Sequence, residues 1–124
     1  MLRRSVGILA AAGALAASVV VSAPASADIY HRTCPRGAFC VYSGNWETGR
    51  LLLATQGNWS GTIYNVQSTF NNGYPAPGAD HVQLGYEASG ISYSTCIHYA
   101  PGGGQYEHNW NYITVKSVRW RGEC

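Results

Sequence analysis

The sequence predicts an all-β, antiparallel fold, and three observations carry that reading. Apolar runs are short and rich in β-branched and aromatic residues, with no stretch that reads as a long helix. Glycine, asparagine or proline breaks the chain every several residues, at the spacing expected of turns between strands. A weak internal repeat then relates the first half of the domain to the second.

The strands follow from those breaks in order. Ala38–Tyr42 is a compact aromatic and β-branched run that stops at Gly44. Arg50–Ala54 begins after Gly49 and ends before Gly57, and Gly61 interrupts the residues that follow. Gln67–Phe70 runs into Asn71-Asn72-Gly73, and Pro75, Pro77 and Gly78 extend that break. His81–Tyr86 leads to Gly90, and Ser94–Tyr99 leads to Pro101-Gly102-Gly103-Gly104. Tyr112–Trp120 closes the series. The repeat pairs Phe39-Cys40-Val41-Tyr42 with Thr95-Cys96-Ile97-His98-Tyr99, each a cysteine-bearing aromatic strand. It pairs Val66-Gln67-Ser68-Thr69-Phe70 with Val115-Lys116-Ser117-Val118-Arg119-Trp120, each carrying a serine and ending on an aromatic. Two such units imply a pseudo-symmetric pair of Greek keys in a sandwich.

The N-terminus reads as an export signal rather than as part of the fold. Arg3 and Arg4 precede a mostly apolar segment from Ser5 to Ser22, and Ala25-Ser26-Ala27 is a small-residue cleavage site. A membrane anchor is the alternative, but no basic stop-transfer cluster follows the segment. Residues 1–27 are therefore expected to be a signal peptide and residues 28–124 a single secreted, extracellular domain. Without Arg3 and Arg4 the formal charge of +2 vanishes, because Arg32, Arg36, Arg50, Lys116, Arg119 and Arg121 balance Asp28, Glu47, Asp80, Glu87, Glu107 and Glu123. No basic stripe is left to meet phosphates, so no nucleic-acid partner is expected, nor a membrane in the mature form. A monomer is expected.

A domain this small buries a limited core and ordinarily needs covalent help. Cys34, Cys40, Cys96 and Cys124 all lie in the mature part, which implies two disulfides with three pairings open. Cys34–Cys40 and Cys96–Cys124 are favoured: the first closes a tight loop through Pro35 and Gly37, the second pins the last residue to the body. Chain entropy assigns them about 2 and about 3.5 kcal/mol. A metal site on these cysteines is disfavoured, since no CxxC pair exists.

The stretch CPRGAFCVYSGNWETGRLL resembles the opening of the secreted actinobacterial peptidase inhibitors of family I36, the Streptomyces metalloproteinase-inhibitor type. The matching features are Cys34-Pro35-x-Gly37-x-x-Cys40, the aromatics Tyr42 and Trp46, and Gly49-Arg50. Ser68-x-Phe70-x-Asn72-Gly73 and Val115–Trp120 extend the likeness over essentially the whole mature chain. The resemblance implies a βγ-crystallin-like fold whose first hairpin bends back over its sheet, with the aromatics covering the sheet and a glycine at the positive-φ position. It also implies a non-enzymatic function, occlusion of the active site of an extracellular peptidase, most plainly a thermolysin-like metallopeptidase.

Inhibition of that kind needs an exposed, rigid segment. By the resemblance that segment falls at Thr95-Cys96-Ile97-His98, with Ile97 entering a hydrophobic pocket and His98 approaching the enzyme's metal; the alternative is an ordinary core strand holding a structural disulfide. A second candidate is the loop from Asn71 to Gly78, stiffened by Pro75 and Pro77, with Tyr74 as an anchor. The family fold commonly binds calcium, but the corresponding motif is degraded here. Asn65, Ser68 and Thr69 remain while Tyr64 stands where a first oxygen ligand belongs, and no carboxylate is present, so no cofactor is expected.

No enzyme is expected either. His31, His81, His98 and His108 show no spaced metal motif, and Glu107-His108 has no evident second carboxylate. The rival to the inhibitor reading is a secreted, non-inhibitory binding or structural domain. In that reading Trp46, Trp59, Trp110, Trp120 and nine tyrosines supply faces for cell-wall sugars, if they are not simply core fillers.

Overall fold

The computed structural model describes residues 33–99 and 105–124. The proposed signal peptide, His31 and the Pro101–Gly104 turn lie outside the described residues. Six strands form one antiparallel sheet: β1 (Phe39–Tyr42), β2 (Leu51–Thr55), β3 (Trp59–Asn71), β4 (His81–Ala88), β5 (Ile91–Ile97) and β6 (Glu107–Arg121), in the order β2-β1-β3-β6-β4-β5. No helix among the described residues is long and apolar enough to cross a membrane.

The order is symmetric about the β3–β6 pair. In each half a hairpin (β1–β2 or β4–β5) is followed by a strand that returns along the other side of the hairpin's first member. The repeat seen in the sequence is right for the closing strands β3 and β6. Its opening partners are displaced by one strand, because the topological counterpart of β1 is β4, whereas Cys96 lies on β5.

β3 and β6 are much longer than the sequence suggests because bends interrupt them without ending them. Their mutual pairing shifts register between Ser60 and Ile63, between Ile63 and Val66, and between Val66 and Ser68. Asn65 and Tyr112 have φ of 57° and 51°, and the residues just after them, Val66 and Ile113, pair with each other. Each long strand thus turns a corner at the same level. Beyond the corner β3 pairs with β1 through Ser68–Asn71, while the C-terminal half of β6 pairs with β4. Both flanks then bury side chains in one core: Phe39 and Val41 of β1 pack in the same cluster as Val82 and Leu84 of β4, Ile97 of β5, and Val115 and Val118 of β6.

The opposite face of β1 is buried as well. Ala38, Cys40 and Tyr42 alternate with the core residues and pack with Cys34, Phe70 and Tyr106. The Cys34–Cys40 disulfide closes over that second cluster with its Cα atoms 5.8 Å apart, and Cys96–Cys124 ties the C-terminus to β5 across 6.3 Å. No cysteine is free. β4 and β5 meet at Ser89-Gly90, whose φ values of 51° and 77° suit a tight two-residue hairpin turn.

The β1–β2 connection folds back onto β3 and β6, and Ser68 fastens it. The Ser68 hydroxyl donates to the Gly44 carbonyl at 2.5 Å and accepts from the Glu47 amide at 2.9 Å. Gln67 Nε2 donates to Ser43 O, and the Trp46 amide donates to Asn109 Oδ1. Gly49 takes a φ of 72°, as the bend requires of a residue without Cβ. Trp46 does not cover the sheet; it sits in a left-handed turn and is 58% exposed, while Glu47 turns inward. Ser68→Ala removes both bonds and is expected to destabilise the domain by about 1–3 kcal/mol. The measurement is a lower urea midpoint with an unchanged denaturant slope.

Candidate functional site

The connection from β3 to β4 is built on the carboxamide of Asn71, which is fully buried. Its Nδ2 donates to Asp80 O at 3.0 Å and to Ile97 O at 3.4 Å, and its Oδ1 accepts from the Gly73 amide at 3.0 Å. Inside the loop the Ala76 amide donates to Asp80 Oδ2 and the Ala79 amide to Ala76 O. Asn72 reaches the other way: its Nδ2 donates to Cys34 O, and its Oδ1 accepts from Arg36 Nη1. The Arg36 guanidinium lies 5.0 Å from the Tyr74 ring centroid. Gly37, at φ 93°, lets that ring approach, since a Cβ there would sit 2.7 Å from Tyr74 Cε2.

Tyr74 is therefore held at its base and 59% exposed. Beside it lies an open groove of about 420 Å³ lined by Gly37, Gln56, Asn58, Tyr74, Ala76 and Trp120, among others. The Trp120 amide donates to Asn58 Oδ1 and its indole Nε1 to Gly57 O, which fixes the far wall.

The Thr95–His98 segment is arranged otherwise than a docking segment. Ile97 is 0% exposed and packs in the main core opposite Val82, so it cannot fill a partner's pocket without leaving the domain. That corrects its expected role: the apolar side chain is worth more buried against β4 than at the surface. Cys96 is half-buried in its disulfide. His98 is half-buried and turned toward the protein, with Nδ1 at 2.9 Å from His81 Nε2.

His81 and Asp80, which the sequence did not single out as site residues, complete this cluster. His81 Nδ1 meets Asp80 Oδ1 at 2.6 Å, and the Tyr99 ring stands edge-on to His81 at 5.6 Å. His81 and Asp80 are both buried. A signal for the pair was present. The two-residue turn pairs Ala88 with Ile91, and counting outward from it places His81 opposite His98.

A third cluster lies under the folded β1–β2 connection. Glu107 gains the second carboxyl that its sequence neighbourhood lacked. Glu47 is only 3% exposed, and its pKa is raised to about 7 by burial first, then by the charge of Glu107 and a hydrogen bond with it. Burial, more than the neighbouring Glu47, raises the Tyr42 phenol. Burial also lowers His108, whose ring stacks on Trp110. Asn65 is an exposed corner residue, Ser68 holds the bend, and Thr69 Oγ1 accepts from Trp110 Nε1 at 3.0 Å.

Comparison with family models, with curated proteins and with solved structures finds no match in any of the three.

The Glu47 arrangement gives a pH dependence of definite sign. A carboxyl whose pKa is raised on folding stabilises the folded state fully below its ordinary value of 4.5, and that contribution is lost as pH rises through about 7. Thermal stability is expected to fall over this window. Glu47→Gln, which keeps the shape without the charge, is expected to flatten the dependence and raise the melting temperature at pH 8 relative to the parent.

Proposed function

We propose that this chain is a secreted, non-enzymatic inhibitor of an extracellular peptidase, of the kind its sequence resembles, and that the loop carrying Tyr74 is the inhibitory element. The observation that carries the reading is an exposed aromatic on a loop already held in one conformation. Pro75 and Pro77 limit the backbone, and side-chain acceptors of Asn71 and Asp80 take the Gly73 and Ala76 amides. A segment ordered in advance loses little entropy on entering a cleft, and a rigid aromatic is a favoured anchor. The bend held by Ser68 and the positive-φ Gly49 agree with what the family resemblance implies for a βγ-crystallin-like hairpin. Two disulfides suit an oxidising, extracellular destination. A thermolysin-like metallopeptidase remains the target of choice, because a large apolar residue fits its hydrophobic specificity pocket. Tyr74 takes over that part from Ile97.

A second reading is favoured by the groove itself. Tyr74 and Trp120 offer ring faces, and Gln56 and Asn58 offer amides, in a space whose lining among the described residues includes no charged side chain. Aromatic faces with neutral hydrogen-bonding groups suit a neutral sugar of a cell-wall glycan.

Titration of thermolysin, subtilisin and trypsin with the oxidised domain tests the first reading. Saturable inhibition of one of these enzymes is expected, with Tyr74→Ala weakening it by about 10–100-fold, the range of a hot-spot residue. The near-ultraviolet circular dichroism of the fold should persist apart from the lost ring. Absence of inhibition across the panel, together with retention of the domain on purified cell wall, would decide for the glycan reading.

A further inference from the structure

His81, His98 and Cys124 bring two imidazole nitrogens and a sulfur within 4.8 Å of one another. These are donors of the zinc class: imidazole suits zinc, copper and nickel, and thiolate draws zinc and its spectroscopic substitute cobalt. The supporting shell is already built. Asp80 Oδ1 holds His81 Nδ1 at 2.6 Å, which turns Nε2 toward the cluster, and the second oxygen of Asp80 is fixed by the Ala76 amide at 3.0 Å. A carboxylate behind a histidine in this way sets the tautomer and the ring orientation of a metal ligand. His98 presents Nδ1 to the same point, 2.9 Å from His81 Nε2. Cys124 is exposed, so both an ion and a small reductant reach it.

In the oxidised domain the third donor is capped, because Cys124 is bonded to Cys96. We propose that His81, His98 and Cys124 form a binding site for a divalent ion of the zinc class, closed by the Cys96–Cys124 disulfide and opened when a dithiol reduces it. The dithiol gives up two electrons and two protons and becomes a cyclic disulfide, while Cys96 and Cys124 become thiols. On metal binding the Cys124 thiol releases its proton and coordinates as thiolate. The proton between the two imidazoles moves to His98 Nε2, so His81 Nε2 and His98 Nδ1 both offer lone pairs, and one proton leaves in total. Disulfide and metal are alternative clasps for the C-terminus. Each holds Cys124 against the β4–β5 hairpin, and Gly122 packs closely on Gly78 of the loop that enters β4, where a Cβ on Gly122 would sit 3.1 Å from the Gly78 Cα.

Cobalt(II) titration of the oxidised and the dithiol-reduced chain, read by absorption spectroscopy, tests this. The reduced chain is expected to give a thiolate-to-cobalt charge-transfer band and strong visible bands of a four-coordinate ion, saturating at one equivalent. The oxidised chain is expected to give no charge-transfer band. Cys124→Ser and His98→Gln, both assayed reduced, are each expected to weaken cobalt binding by about 100-fold, and Asp80→Asn by about 10–100-fold. His98→Gln keeps all four cysteines, so its fold is checked in the oxidised form before reduction. Zinc is expected to raise the melting temperature of the reduced parent but not of Cys124→Ser. A band that survives Cys124→Ser undiminished belongs to Cys34, Cys40 or Cys96 and overturns the proposal. Absence of any band in the reduced parent, or equal binding in both redox states, overturns it too.

Discussion

The buried carboxamide of Asn71 joins segments that no strand pairing would bring together. Its backbone amide continues the sheet by donating to Tyr106 O, while its side chain reaches Asp80 O, Ile97 O and the Gly73 amide. Asn71, Gly73, Asp80 and Ile97 are all buried, where an unmet backbone donor or acceptor costs about 1–3 kcal/mol. One residue at the end of β3 thereby fixes the start of β4, the end of β5 and the exit of the loop that displays Tyr74. The Asp80–His81–His98 line depends on the same node, because Asp80 is positioned through its own carbonyl.

The β3–β6 ribbon gives the frame on which that node sits. Asn65 and Tyr112 let both strands turn at the same level, so the β1–β2 and β4–β5 hairpins close over a shared core instead of extending a flat sheet. The two disulfides complement this frame outside the main core cluster. Cys34–Cys40 covers the outer face of β1, and Cys96–Cys124 holds the C-terminal residues against β5. Ser68 does comparable work for the bend after β1, and by holding it brings Glu47 to Glu107.

Much of this frame was legible in the sequence. The all-β class and the approximate place of every strand follow from aromatic and β-branched runs between glycine, proline and asparagine breaks, and the favoured pairing of the three open to four cysteines is the one formed. Both long strands run past their expected bounds, and in β3 the reason is that Gly61 reads as a break. In the fold Gly61 lies inside a register shift of a continuous strand, and only pairing with a neighbour distinguishes a bulge from a turn. Of the two readings that the sequence leaves open for Thr95–His98, the core strand with a structural disulfide is the one that the fold adopts, because Ile97 alternates with Cys96, pairs with Val82 and points inward. Glu47 reads as an ordinary turn carboxylate until a left-handed backbone turns it under the bend. His81 and His98 are seventeen residues apart and become neighbours only once the Ser89-Gly90 turn sets the register.

The functional account rests on the loop between β3 and β4 being ordered before any partner arrives. Site-resolved amide hydrogen exchange of the free, oxidised domain measures this directly. The Gly73, Ala76 and Ala79 amides, bonded to Asn71 Oδ1, Asp80 Oδ2 and Ala76 O, are expected to exchange at least about 100-fold more slowly than in an unstructured chain. Exchange of all three at the rate of an unstructured chain would contradict the account, because a loop that is ordered only on contact would not be the preformed element that displays Tyr74.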